Sequence, residues 1–107
     1  MSKLQKKRPS IVLVANGDLR LSANQKCWDE QKKMEAILIK AIKKQGWGVT
    51  RAHDFDKTKK HGFIDSQKMG IEVFKEIDPF QPLIVAEAVW QYSQHLLPGL
   101  YTHQGPI

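Results

Sequence analysis

Unbroken apolar runs alternate along the chain with longer stretches whose apolar residues recur at helical spacing. Ile11-Val12-Leu13-Val14-Ala15 is continuous and rich in β-branched residues, the pattern of a strand buried on both faces of a parallel sheet. Pro82-Leu83-Ile84-Val85-Ala86 repeats it. Gly48-Val49-Thr50-Arg51-Ala52 reads as a shorter strand between them. Met34, Ile37, Leu38, Ala41 and Ile42 recur at i, i+3, i+4, i+7 and i+8, and Cys27 continues the stripe backwards; this predicts an amphipathic helix. Ser22 or Asn24 can cap its start, Lys43 and Lys44 suit its last turn, and Gly46 can stop it. A second helix follows a cap at Asp65 or Ser66, with Gly70, Val73, Phe74 and Ile77 on its apolar face. Gly70 costs helix propensity, so its place on that face predicts close approach to the sheet. Asp78-Pro79 ends this helix. Leu96, Leu97, Leu100 and Tyr101 around Pro98 predict a short or interrupted third helix, whereas His53 to Ile64 is polar and aperiodic, a loop.

The order strand, helix, strand, helix, strand, helix implies an α/β fold: a three-layer Rossmann-like or flavodoxin-like parallel sheet, β-α-β-α-β-α. Right-handed crossovers place the first strand between the other two, strand order 2-1-3. Residues 1–10 read as a basic flexible arm and 11–107 as a Rossmann-like N-terminal domain. Three strands make a thin sheet, so the domain is expected to be truncated before a fourth strand, with Ile107 at its first position.

The 107 residues allow one domain, and 41% hydrophobic with 26% charged residues excludes wholesale disorder. The net charge of +6 is concentrated in Lys3, Lys6, Lys7 and Arg8 and in Lys57, Lys59 and Lys60. Such clusters attract polyanions, but no nucleic-acid motif accompanies them, so a solvated arm and loop are the simpler reading. Cys27 is the only cysteine, which excludes an internal disulfide and suits a reducing compartment. No apolar signal-peptide run follows the basic residues and no stretch reaches transmembrane length. The expected location is cytoplasmic, with no membrane partner.

In open parallel sheets ligands bind outside the carboxyl ends of the strands, where strand order reverses. That crevice should hold Asn16, Gly17, Asp18 and Arg20 after the first strand and Glu87, Trp90 and Gln91 after the third. No G-x-G-x-x-G follows the first strand and no P-loop occurs, which disfavours a dinucleotide or P-loop nucleotide; flavin mononucleotide remains open by topology. His53 with Asp54 and Asp56 could be imagined as metal ligands, but a solvated polar loop is the preferred reading. Cys27, on the apolar stripe, reads as buried and inert. Arg20 and Trp90 stand out: a guanidinium offers planar donors to hydroxyl oxygens, and an indole offers a flat apolar face for the C–H side of a sugar. Together they suit a polyol. Trp28 and Trp47 read as packing residues.

At these same residues the chain resembles a known family. Ile11-Val12-Leu13-Val14-Ala15-Asn16-Gly17-Asp18-Leu19-Arg20 resembles the start of the L-fucose isomerase-like proteins, Ala86-Glu87-Ala88-Val89-Trp90-Gln91-Tyr92 resembles the segment after their third strand, and Gly105-Pro106-Ile107 resembles the lead-in to their next strand. The resemblance implies the N-terminal domain of a multi-domain, cytoplasmic aldose–ketose isomerase (a metal-dependent intramolecular oxidoreductase), usually hexameric, with manganese in the parent enzyme. It implies substrate contacts from Arg20 and Trp90, and the strand-end topology sets Asn16, Asp18, Glu87 and Gln91 beside them as further candidate substrate-binding residues. It places the metal ligands and acid–base carboxylates in later domains, so this chain is expected to recognise substrate and assemble without catalysing. The alternatives are a flavodoxin-like nucleotide-binding or regulatory module and, third, a basic nucleic-acid-binding domain.

Overall fold

The structure is a computed structural model and describes residues 10–89 and 93–107. The arm expected at residues 1–10 falls outside this range except for Ser10, which opens the first strand. In chain order the elements are β1 (Ser10–Ala15), α1 (Leu21–Lys44), β2 (Gly48–Arg51), α2 (Gln67–Lys75), β3 (Leu83–Ala86), a 3-10 turn (Ser93–His95) and α3 (Leu97–Thr102). The three strands form one parallel sheet in the order β2-β1-β3, the order that right-handed crossovers dictate.

Register assigns the faces. Leu13 sits opposite Arg51 on β2 and Ile84 on β3, and partners across a parallel ladder point the same way. Arg51 reaches Glu35 of α1, so Leu13, Arg51 and Ile84 face α1. Val12, Val14, Leu83 and Val85 alternate to the other face. There they join Ile64, Ile77, Met69, Val73, Phe74, Leu96 and Leu100, so α2 and α3 cover that side. The central strand is the most deeply packed: Leu13, Val14 and Ala15 have no exposed surface. This is why β1 reads as an unbroken apolar run.

Of the two long crossovers, α2 starts where the sequence places it and α1 does not. Ser66 caps α2 as expected, its Oγ accepting from the Met69 N–H at 3.1 Å. Neither Ser22 nor Asn24 caps α1; the N-cap position is Arg20, which makes no side-chain cap bond, and Ser22 and Asn24 lie inside the helix. Nor does the Met34 stripe pack on the sheet. Ile37 is 72% exposed and Ala41 is exposed, while the buried residues of α1 are Asn24, Gln31 and Glu35. Rotation around the helix supplies the reason. Asn24, Trp28, Gln31 and Glu35 are spaced by four, three and four residues and define the inward face, and at about 3.6 residues per turn Ile37 lies about 200° around the helix from Glu35. Cys27 is half-buried rather than enclosed.

Gly70 is buried on α2 as predicted, but the close neighbour is not the sheet: a Cβ there would overlap the carbonyl of His95. At the far end Pro98 occupies the first turn of α3, a tolerated position because no N–H is needed there. The chain then returns beside the start of β3, where the Leu83 N–H donates to the Pro106 carbonyl at 2.9 Å.

The segment 53–64 is not the solvated loop that its polarity suggests. His61, Phe63 and Ile64 are buried, and Ile64 extends the sheet by a parallel bridge to Asn16. The Asp56 carboxylate is taken up by its own turn. Its Oδ1 accepts from the Thr58 and Lys59 N–H groups at 2.9 and 3.0 Å, and its backbone pairs with His61, so it builds a turn. His53 Nε2 accepts from the Ala15 N–H at 3.4 Å.

Candidate functional site

The carboxyl ends of β1 and β3 lie side by side because Ala15 and Ala86 are register partners. The next residue on each strand is polar, Asn16 and Glu87. Their side chains are hydrogen-bonded, and Asn16 is wholly buried. Burial raises the pKa of Glu87, and the Asn16 bond opposes that rise. The strand-order reversal thus carries a carboxyl group tied to a buried amide.

Gly17 follows, in a gap that only glycine fills: a Cβ would lie 2.6 Å from Phe63 Cβ and 2.7 Å from Asn24 Oδ1. This close approach seats the backbone against Phe63 and Asn24 just before Asp18. Asn24, one turn into α1, clamps Asp18 by accepting from its N–H and donating to its carbonyl, both at 2.8 Å. The Asp18 carboxylate is fully buried and receives three donors from Arg20: the backbone N–H at 2.9 Å, Nε at 3.2 Å and Nη2 at 2.7 Å. The Arg20 bonds hold the Asp18 pKa down to about 2. The Arg20 side chain remains 66% exposed while its fork is engaged.

Four of the sequence-predicted residues are therefore brought together in two linked pairs, Asn16 with Glu87 and Asp18 with Arg20. Trp90 and Gln91 lie outside the described residues.

Sequence reasoning missed the polar support beneath this mouth. Gln31 Nε2 donates to the Ala86 carbonyl at 3.0 Å and to Glu35 at 2.7 Å. Arg51 meets Glu35 through Nε and Nη2 at 2.7 and 2.9 Å, and donates to the carbonyls of His53 and Gly62 at 2.6 and 2.7 Å. Trp28 packs on Phe55, Phe63 and the Arg51 guanidinium, fulfilling its expected packing role. Burial drives the pKa of His53 down to about 3, aided by the Arg51 charge, and also lowers those of His61 and His95. The neutral tautomer of His61 is fixed, since its Nδ1 accepts from the Phe63 N–H at 3.0 Å. One signal for this layer was present: Asn24, Trp28, Gln31 and Glu35 themselves follow helical spacing.

Among the described residues no three His, Cys, Asp or Glu side chains converge on a cation position. The two carboxylates at the mouth are already bound, Asp18 by Arg20 and Glu87 by Asn16. This donor set does not fit a resident manganese. No described helix is long and apolar enough to cross a membrane. Compared with protein-family models, curated proteins and solved structures, the chain matches none.

Proposed function

We propose that the chain is a substrate-recognition and assembly domain of an aldose–ketose isomerase of the L-fucose isomerase-like type, with a Rossmann-like sheet, and that it is catalytically silent alone. The observation that carries this reading is the grouping of Asn16, Asp18, Arg20 and Glu87 at the adjoining carboxyl ends of β1 and β3. Amide, carboxyl and guanidinium groups at one strand-order reversal suit a polyhydroxylated ligand.

Aldose–ketose isomerisation moves a proton between adjacent carbons while a divalent metal polarises the oxygens. The manganese expected in the parent enzyme would supply that polarisation from residues other than these, and this chain's part is to bind and orient.

The test is a titration of the purified chain with free aldohexoses, L-fucose among them, followed by backbone amide NMR. Selective shifts at Asn16, Asp18, Arg20 and Glu87 are expected, with no turnover when manganese is added. Shifts with flavin mononucleotide but none with any sugar would reject the reading. So would isomerisation by the chain alone.

A further inference from the structure

We propose that Asp18 is a positioning residue, whose buried carboxylate holds the Arg20 guanidinium in one orientation at the mouth between β1 and β3. The inference deepens the sugar-recognition reading and rests on it for the identity of the ligand, but the positioning itself is independent of that reading.

The turn alone does not require this arrangement. Asn24 already satisfies the N–H and the carbonyl of Asp18, and the Arg20 backbone N–H needs one carboxylate oxygen. The two further bonds go to the Arg20 side chain in a fork, Nε to Oδ1 and Nη2 to Oδ2. A long side chain that is 66% exposed gains little stability from one contact, because ordering it costs side-chain entropy. Such a fork does fix the plane of the guanidinium. Its anchor is rigid, since the Asp18 side chain has no exposed surface and sits behind a glycine packed on Phe63 and Asn24. Fixing an arginine before the ligand arrives lowers the ordering cost of binding. The Asp18 charge is also felt by His95, whose burial keeps it neutral.

The variant Asp18→Asn keeps Oδ1, and with it the acceptor for the Arg20 N–H and Nε, but turns an NH2 group toward Nη2 and so breaks the fork. The first readout needs no ligand: the Nη2–H signal of Arg20 in 15N NMR. In the native chain it should be ordered and slow to exchange; in Asp18→Asn it should become mobile while the amide spectrum of the sheet is unchanged. The second readout is sugar affinity. Asp18→Asn and Arg20→Ala should each weaken it by roughly tenfold, and the double variant should be no worse than Arg20→Ala. An Arg20 side chain equally mobile in native and variant chains would overturn the proposal. So would additive losses in the double variant. If no sugar binds the native chain but the Nη2–H result holds, the functional reading fails and the positioning role stands.

Discussion

His53 shows how much a single side chain can set the acid limit of this molecule. Its imidazole stays neutral because burial, helped by the neighbouring Arg51, lowers its pKa to about 3 from an ordinary 6.5. In the unfolded chain it would take a proton near pH 6.5. A depressed histidine pKa therefore contributes stability above that value and loses it as pH falls toward 3. The steepest loss is about 1.4 kcal/mol per pH unit. Replacing His53 by Gln keeps an acceptor for the Ala15 N–H and removes the titration. Denaturant unfolding at pH 7, 6 and 5 should show a shallower pH slope in His53→Gln. Identical slopes would mean that His53 is protonated in the native chain. His61 and His95, whose pKa values burial also lowers, should supply the slope that remains. None of this was readable beforehand, because a histidine in a polar stretch carries no mark of burial; only the bridge from Asn16 to Ile64 draws the segment inward.

The elements are joined across their polar faces as much as their apolar ones. The Glu35–Arg51 pair ties α1 to β2 with side chains 7% and 21% exposed, and the same guanidinium caps two carbonyls of the segment after β2. Removing one partner strands the other. Arg51→Ala should destabilise the chain by about 3–5 kcal/mol, because it leaves the Glu35 carboxylate buried and uncompensated; equilibrium unfolding at pH 7 measures this, and a loss under about 1 kcal/mol would refute it. The strands were legible from sequence because burial on both faces forces continuous apolar runs, as in Ile11–Ala15 and Leu83–Ala86. The inward face of α1 was not. Its apolar stripe was real, but a different stripe turns inward: Trp28, Gln31 and Glu35 reach Arg51 of β2 and Ala86 of β3, while Ile37 lies on the far side of the helix. The candidate site was half legible for a related reason. Topology alone puts Asn16, Asp18, Arg20 and Glu87 at the strand ends, whereas the Asn24 clamp needs the path of the turn.

At the scale of the whole molecule, the sheet is covered unevenly. One face carries α2 and α3; the other carries α1, whose outer flank displays Met34, Ile37, Leu38 and Ala41 beside Glu30 and Lys33. Ile37→Asp should leave the unfolding free energy within about 0.5 kcal/mol, as expected of a surface position. A loss above about 2 kcal/mol would show that this flank is packed in solution.

Arg51 also bears on how a ligand could reach the strand ends. One guanidinium is bolted to Glu35 and grips the chain at His53 and again at Gly62, so the intervening hairpin is fastened at both feet. A hairpin held this way cannot swing as a flap. Exchanging residues at the hairpin tip should therefore alter the molecule's outline while its two anchored feet stay in place.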